Sequence, residues 1–141
     1  MIRKVLPEEY DFLGSLWLEV SINAHDFISR EFWEANLDAM RNEYLPASET
    51  WVIEQDGDIA GFMSLMGETV AALFVSADKQ GNGLGSRLLH HAKEEYESLN
   101  LCVYKENLSS VAFYKKQGFK VSEERADEHT GHVEFVMSWQ R

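Results

Sequence analysis

A chain of 141 residues, of which 45% are hydrophobic and 26% charged, is long enough for one globular domain with one hydrophobic core. Its 24 acidic and 13 basic side chains give a net charge of −11, which argues against a nucleic-acid partner. Such a charge keeps a protein soluble, and it also attracts a cationic partner such as an amine. No apolar run approaches the ~20 residues of a membrane span, and the first residues lack a signal-peptide pattern, so we expect a cytoplasmic protein without a membrane partner.

The first part of the chain is patterned as two amphipathic helices. Apolar residues recur at helical spacing from Pro7 to about Asn23, and Pro7 suits the first turn of a helix. After a polar break, Ser29 can cap a second helix, which Pro46 closes. The apolar stripe is Leu13, Leu16, Trp17 and Val20 in the first helix, and Trp33, Leu37, Met40 and Tyr44 in the second.

The second part of the chain begins with strands. Asp56-Gly57 separates two apolar runs and predicts a β-hairpin with strands over 50–54 and 59–66, followed by a third strand over 69–75. The remaining predicted elements are a helix from a glycine-rich segment to about Ser98, a strand over 101–104, a helix over 109–117, and strands over about 119–125 and 132–139. The order α-α-β-β-β-α-β-α-β-β predicts an α/β (α+β) fold in which helices cover a mixed sheet.

The segment QGNGLGSRLL, residues 80–89, brings closely spaced glycines to the start of a predicted helix. The N-terminus of a helix carries unpaired N–H groups and a partial positive charge, so this segment can hold a pyrophosphate. A P-loop is excluded because no lysine follows Gly85, and the dinucleotide motif of an NAD-binding oxidoreductase has Ser86 in place of its third glycine. A third pattern, Gln/Arg-x-x-Gly-x-Gly/Ala, is matched in full by Gln80, Gly83 and Gly85.

A second pattern lies in the segment LCVYKENLSSVAFYKKQGF, which begins at residue 101. A predicted strand is followed by Asn107, then by Tyr114 seven positions later, and then by Gly118-Phe119. Together the two patterns resemble the acetyl-CoA loop and the following strand–helix segment of the GCN5-related N-acetyltransferase (GNAT) family. The resemblance extends over essentially the whole chain, and Ser110 is a mild departure at a position where alanine is common.

Within this family the chain resembles a small bacterial group that includes the YiaC and YjaB lysine acetyltransferases. That group has a similar His-x-Phe segment between its first two helices, here His25-Asp26-Phe27. The resemblance implies a GNAT fold with a mixed, mostly antiparallel sheet of about six to seven strands, and one N-acetyltransferase domain over residues 1–141. It also implies acetyl-CoA as cosubstrate, no metal, and an amine acceptor, for which a protein lysine is the first hypothesis.

The resemblance further implies which residues contact acetyl-CoA. The strand before the glycines would pair its backbone with the pantetheine arm, and the amides of the glycine segment would hold the pyrophosphate. Asn107 would bond to the cofactor arm, cap the following helix, or do both. The implied contacts are Leu73, Phe74, Val75, Gln80, Gly81, Asn82, Gly83, Leu84, Gly85, Ser86, Asn107 and Tyr114.

In the family the acceptor amine attacks the thioester directly, which requires an acid for the leaving thiolate and a base for the amine. Tyr114 is the candidate acid, because a phenol with a pKa of ~10 stays protonated at neutral pH; its alternative role is a core aromatic. The strand TVAALFV carries no carboxylate where many members have one, so Glu68 and His25 are the candidate bases, with a water relay or an already deprotonated amine as alternatives. This gap leaves a rival function, an acetyl-CoA-binding sensor or regulatory module without turnover.

The other chemically notable residues are interpreted as structural. Cys102 lies in a predicted buried strand, so we expect a packed core thiol rather than a nucleophile, and a single cysteine forms no intrachain disulfide. The pairs His90-His91 and His129/His132 lack the ligand pattern of a metal site. The sequence is compatible with a monomer or a homodimer.

Overall fold

The computed structural model, which describes residues 1–141, has a seven-stranded mixed sheet between two layers of helices. The strands are β1 (Ile2–Lys4), β2 (Glu49–Gln55), β3 (Asp58–Met66), β4 (Thr69–Val75), β5 (Ser98–Tyr104), β6 (Lys120–Ala126) and β7 (Val133–Gln140). The helices are α1 (Tyr10–Ala24), α2 (Arg30–Ala35), α3 (Leu37–Ala39), α4 (Leu45–Ala47), α5 (Leu84–Glu95) and α6 (Leu108–Lys116). The strand order is β1-β2-β3-β4-β5-β7-β6, and only β4 and β5 are parallel neighbours, which confirms the predicted mixed, mostly antiparallel sheet.

Two hydrophobic cores lie on opposite faces of the sheet. Leu88 of α5 belongs to the core that α5 and α6 cover, and Leu13 and Trp33 belong to the core that α1 and α2 cover. Side chains alternate between the faces along a strand, so the adjacent residues Val52 and Ile53 of β2 enter different cores. Burial of apolar side chains of this size stabilises the fold by roughly 1.5–3 kcal/mol each.

The strand β1 is an addition to the predicted element order. It pairs antiparallel with β2, and Arg3 bonds to the carboxylates of Glu9 at 2.8 Å and Glu54 at 2.6 Å. A strand of three residues carries no readable alternation, and its pairing partner is distant in the sequence. Its formation therefore depends on β2 rather than on its own pattern.

The predicted second helix is wrong in its second half. Ser29 caps α2 as expected, accepting a hydrogen bond from the Phe32 amide at 3.4 Å, but α2 is only six residues long. Met40–Tyr44 forms a π-helical turn, which breaks the 3.6-residue period and leaves Tyr44 56% exposed instead of in the apolar stripe. Pro46 lies inside α4 rather than closing the segment.

The hairpin between β2 and β3 forms where the Asp-Gly pair predicts it. Asp56 has a φ of 55° and Gly57 a φ of 84°, so both turn residues are left-handed. Two left-handed residues make the turn whose twist matches that of the paired strands. The local sequence is therefore sufficient to specify this connection.

The parallel neighbours β4 and β5 pair at only one point. Thr69 lies opposite Asn100, and its hydroxyl donates to the Asn100 side-chain oxygen at 2.8 Å. A register shift on the other side of β4 leaves Ala71 as a bulged residue without a partner on β3. Beyond this point β4 and β5 separate, so the β5-facing edge of β4 is left free.

Candidate active site

A cleft of about 250 Å³ lies where β4 and β5 separate. Its long walls are Val70–Phe74 of β4 and Leu101–Tyr104 of β5. The other lining residues are Asn107, Ser110 and Tyr114 at and within α6, Ser21, His25 and Trp33 from the first two helices and their connection, and Glu134 of β7. Residues from both faces of the sheet therefore meet in this cleft.

Tyr114 lies on α6 with its ring packed against the core. Its ring centroid is 5.3 Å from that of Phe113 and 5.7 Å from that of Phe119. Its hydroxyl has no hydrogen-bond partner within the protein, and burial raises the pKa of Tyr114 well above its ordinary value. The phenol is therefore neutral over the physiological pH range, and its O–H is available as a donor.

His25 and Asn107 connect the end of α1 to the start of α6. The Nδ1 atom of His25 is 3.0 Å from the carbonyl oxygen of Ser21, which can only accept, so Nδ1 carries the proton. The Nε2 atom then accepts a hydrogen bond from Asn107 Nδ2 at 3.2 Å. Burial lowers the pKa of His25, although its hydrogen bond to the Ser21 backbone opposes this. The imidazole is therefore neutral near pH 7, and its lone pair is already engaged.

Asn107 also caps α6. Its side-chain oxygen accepts a hydrogen bond from the Ser110 amide at 3.4 Å. Of the two roles that the sequence leaves open, helix capping is thus the one that the structure contains. Contact of Asn107 with the cofactor arm stays a prediction.

Glu68, the other candidate base, lies in the turn between β3 and β4. Its carboxylate accepts a hydrogen bond from Ser98 Oγ at 2.6 Å, and its backbone carbonyl accepts one from the Asn100 amide at 3.0 Å. Glu68 is exposed at the end where β4 and β5 are still paired, and it does not line the cleft. The structure brings His25 to the cleft and leaves Glu68 outside it, and the role of each as a base stays a prediction.

The glycine segment forms the turn that leads into α5. Gly83 caps the helix with a φ of 78°, a left-handed conformation. The backbone amides from Gly81 to Ser86 bond to no acceptor within the protein. Gln80 Nε2 donates to the Val75 carbonyl oxygen at 3.0 Å, and the side chain of Asn82 donates to a backbone carbonyl of the same turn at 3.1 Å. A row of free N–H groups at a helix N-terminus can hold an anion.

The residues predicted to contact pantetheine lie on the free edge of β4. Leu73, Phe74 and Val75 pair with β3 on one side only, and Leu73 and Phe74 line the cleft. An extended chain with amide groups can add to such an edge as a further strand. In the turn that follows, Leu84 is buried, so only its amide is available to a ligand.

Cys102 is exposed, so the prediction of a packed core thiol is wrong. Successive side chains of a strand point to opposite faces, and Leu101 and Val103 take the core positions of β5. Cys102 instead lines the cleft, where its sulfur accepts a hydrogen bond from Arg125 Nη2 at 3.3 Å. Partial burial, and then the charge of Glu134, raise the pKa of Cys102, so the side chain is a thiol near neutral pH.

Glu134 is a site residue that the sequence reasoning missed. It lies on β7 directly opposite Tyr104 of β5, and opposite residues of antiparallel strands project from the same face. Its side chain is 14% exposed and pairs with Arg125, whose Nε is 3.0 Å from Oε1. The available signal was a single acidic residue inside the apolar strand VEFVMSW, but its meaning depends on the pairing of β7 with β5.

The surroundings of Tyr104 are aromatic and acidic. Its hydroxyl donates to Asp127 at 2.8 Å, and burial, followed by the effect of this carboxylate, raises the pKa of Tyr104 to about 12. Partial burial opposes ionisation of Asp127, but the hydrogen bonds from Tyr104 and Thr130 lower the pKa of Asp127. The ring of Phe27 lies 5.7 Å from Tyr104 and 5.2 Å from His132. Aromatic faces beside a carboxylate suit a cationic amine.

Ser21 and Trp33 line the cleft and are buried with unpartnered polar atoms. Ser21 is 0% and Trp33 7% exposed, and neither Ser21 Oγ nor Trp33 Nε1 has a hydrogen-bond partner within the protein. A buried donor without a partner costs about 1–3 kcal/mol. The lining of the cleft therefore includes two polar groups whose hydrogen-bonding capacity the protein itself does not satisfy.

The histidine pair on α5 has structural contacts. His90 lies 3.4 Å from Glu94, and the ring of His91 packs against Trp51 with 4.4 Å between centroids. No group of three or more His, Cys, Asp or Glu side chains in the chain is placed to hold a metal ion. None of the helices has the length and apolar composition needed to cross a membrane.

Comparison with known proteins agrees with the fold and with the family resemblance. A family model described as an acetyltransferase (GNAT) domain matches residues 19–140. The peptidyl-lysine N-acetyltransferase YiaC of Escherichia coli is 33% identical over 140 residues, which cover 99% of this chain and 96% of YiaC. The peptidyl-lysine N-acetyltransferase YjaB of Salmonella typhimurium is 38% identical over 122 residues, which cover 86% of this chain and 83% of YjaB.

Solved structures show the same similarity. The apo form of YjaB from Escherichia coli matches with a TM-score of 0.87 and 32% identity, over 99% of this chain and 96% of YjaB. The PaiA N-acetyltransferase of Thermoplasma acidophilum, solved in complex with coenzyme A, matches in fold with a TM-score of 0.81 and 20% identity, over 100% of this chain and 98% of PaiA.

Proposed function

Because this chain belongs to the GNAT acetyltransferase family, and is thus an acetyl-CoA-dependent N-acetyltransferase, we propose that its acceptor is the side-chain amine of protein lysines and that Tyr114 is its general acid. The acceptor class rests on YiaC and YjaB, both peptidyl-lysine N-acetyltransferases, at 33% and 38% identity. The observation that carries the catalytic part is the unpartnered hydroxyl of Tyr114 on the cleft between β4 and β5.

Two parts of the fold suit the cosubstrate, acetyl-CoA. The free amides from Gly81 to Ser86 fit its pyrophosphate, because they form a concentrated set of donors at the N-terminus of α5. The unpaired edge of β4 at Leu73–Val75 fits the amides of its pantetheine arm. A thioester held between these two places would lie in the cleft beside Tyr114.

The proposed reaction is a direct transfer. The acceptor nitrogen attacks the carbonyl carbon of the thioester, so that a C–N bond forms as the C–S bond breaks. The hydroxyl of Tyr114 donates its proton to the leaving sulfur, a general-acid step that typically contributes about 10²–10⁴-fold to the rate. Burial supports this role, because it keeps the phenol protonated.

The rival hypothesis is a non-catalytic acetyl-CoA sensor, motivated by Ala71 and Ala72 at positions where many family members carry a carboxylate. Tyr114 argues against it, because a pure binding module has little use for an available proton donor. A single domain over residues 1–141, a cytoplasmic location, and the choice between monomer and homodimer stay predictions.

The test is release of CoA from acetyl-CoA in the presence of lysine-containing peptides, polyamines or free amino acids. Wild type is compared with Tyr114→Phe and with Tyr96→Phe, a matched control because Tyr96 lies at the end of α5 and does not line the cleft. We expect turnover in wild type that depends on the peptide. Tyr114→Phe should lower this turnover by about 10²–10⁴-fold and leave acetyl-CoA affinity unchanged. Tyr96→Phe should preserve the wild-type turnover.

Each part of the proposal can fail separately in this assay. Turnover with polyamines or amino acids but not with peptides would overturn the acceptor class. Wild-type turnover in Tyr114→Phe would overturn the acid assignment. Binding of acetyl-CoA without turnover on any amine would favour the sensor.

A further inference from the structure

We propose that Glu134 binds the ammonium group of the acceptor and takes up its proton, an inference that rests on the proposed amine acetyltransferase function. Glu134 is the only carboxylate that lines the cleft, and no lysine or arginine lines it. Arg125 of β6 pairs with Glu134, but Asp127, which accepts from the hydroxyl of the cleft residue Tyr104, adds a second carboxylate. Two carboxylates and one guanidinium leave a negative local charge, which attracts a cationic amine and repels an anion. Glu134 thus supplies the carboxylate that β4 lacks.

The carboxylate of Glu134 has one oxygen fixed and one free. Oε1 accepts a hydrogen bond from Arg125 Nε at 3.0 Å, whereas Oε2 has no hydrogen-bond partner within the protein. The ion pair and packing against neighbours, which leaves the side chain only 14% exposed, together hold Glu134 in place. Oε2 is therefore available to accept an N–H from a molecule in the cleft.

Glu134 and Tyr114 reach the cleft from opposite faces of the sheet. Glu134 shares the face of Tyr104, which packs against the core under α1 and α2. Tyr114 packs against the other core, under α5 and α6. This arrangement suits a direct transfer, because the group that takes the amine proton and the group that protonates the thiolate act on different atoms.

The proton balance of the reaction requires an acceptor such as Glu134. A lysine amine with a pKa of ~10.4 is almost wholly protonated at neutral pH, so an ammonium enters the cleft. Of its three N–H protons, one passes to Glu134 Oε2, one stays on the amide product, and one replaces the proton that Tyr114 gives to the sulfur. The products are the acetylated lysine, CoA as a neutral thiol, and a protonated Glu134 that returns its proton to solvent.

The other titratable groups near the cleft are less suited to this step. The groups that face Glu134 are Arg125 of β6, Cys102 and Tyr104 of β5, and Asp127 after β6. Cys102 and Tyr104 carry protons at neutral pH, Arg125 is a cation, and Asp127 is held by the Tyr104 hydroxyl. Outside this group, the lone pair of His25 is engaged by a hydrogen bond and Glu68 lies away from the cleft.

The experiment is the pH dependence of kcat/KM for a lysine peptide in wild type, Glu134→Gln and Glu134→Asp. Glu134→Gln preserves size and removes the charge, and Glu134→Asp preserves the charge. The matched control is Glu124→Gln, which removes a carboxylate that pairs with Lys105 on the exposed surface of β6. Acetyl-CoA affinity and thermal unfolding are measured for every variant.

We expect Glu134→Gln to lower kcat/KM at pH 7.5 by about 10²–10³-fold, within the range of a lost general base. The deficit should shrink as pH rises towards the pKa of the free amine, because the substrate then loses its proton without help. Glu134→Asp should retain more activity than Glu134→Gln, Glu124→Gln should match wild type, and acetyl-CoA affinity should not change.

Three results would overturn the inference. Wild-type kcat/KM in Glu134→Gln at all pH values would show that the carboxylate is not used. An equal, pH-independent loss in Glu134→Gln and Glu134→Asp would show a structural role only. Absence of turnover in wild type with every amine would remove the proposed function itself, and the role of Glu134 with it.

Discussion

The Nε2 atom of His25 lies 3.2 Å from the side-chain nitrogen of Asn107, a residue 82 positions away in the sequence. The same imidazole is held at Nδ1 by the carbonyl oxygen of Ser21 at 3.0 Å. His25 and Asn107 are both buried, and both ring nitrogens of His25 are satisfied. This pair fixes the end of α1 to the first turn of α6, the helix that carries Tyr114, so two walls of the cleft are held together by one polar connection.

This connection predicts a pH-dependent stability. Burial lowers the pKa of His25 in the folded state below the ~6.5 of the unfolded chain. The contribution of the neutral His25 to the free energy of unfolding is therefore fully present above pH ~6.5. As pH falls towards the lower folded pKa, this contribution is lost by up to about 1.4 kcal/mol per pH unit. We expect His25→Gln, which has no group that titrates here, to lose less free energy of unfolding than wild type between pH 7.5 and 5.5 in urea titrations.

A surface histidine provides the control for this experiment. The side chain of His90 is 75% exposed, so His90→Gln should follow the wild-type pH dependence. Carboxylates that titrate in the same range affect all three proteins alike and cancel in the comparison. Parallel curves for wild type and His25→Gln would contradict a buried neutral imidazole.

The parts of the fold that depend on short stretches of sequence could be predicted. The turn at Asp56-Gly57 and the cap at Ser29 are formed by residues within a few positions of each other. The glycine segment around Gly83 also forms the expected turn into a helix, because a left-handed residue and a helix start are local features. The family resemblance also singles out Tyr114, whose pattern lies within one strand and one helix; Tyr114 lines the cleft, and its role as an acid stays a prediction.

The parts that depend on long-range pairing could not be predicted. Cys102 and Glu134 acquire their positions from the register of β5 against β7, which no local pattern contains. The exposure of Tyr44 follows from a π turn that interrupts an otherwise regular helical period. The gap between β4 and β5 begins next to a bulge at Ala71, whose small apolar side chain gives no sign of either feature.

Replacement of Gly83 tests the phosphate-binding role of the turn before α5. A Cβ at this position would meet no atom within 4 Å, so the cost of Gly83→Ala is backbone strain at a φ of 78°, roughly 1–2 kcal/mol. We expect the turn to relax away from this conformation, which displaces the free amides and weakens acetyl-CoA binding about tenfold or more in calorimetry.

The matched control for Gly83→Ala is Gly57→Ala, in the hairpin between β2 and β3. Gly57 has a φ of 84° and equally open space around a Cβ, so the strain should be similar. Thermal unfolding should report comparable destabilisation of both variants, while only Gly83→Ala should lose affinity for acetyl-CoA. Equal affinities in the two variants would separate this turn from cosubstrate binding.

Alkylation of Cys102 tests whether the face of β5 that carries Glu134 lies on the path of the acceptor. Cys102 is the only cysteine, and it is exposed on the cleft, so a maleimide can modify one site alone. Partial burial raises its pKa, so less thiolate is present at neutral pH, and modification should accelerate about tenfold per pH unit up to pH 9.

We expect modification to abolish turnover of a lysine peptide in proportion to labelling, and Cys102→Ser to remain active and resistant. Full activity in the labelled protein would place the acceptor elsewhere, because the bulky adduct would then occupy a part of the cleft that the peptide does not use.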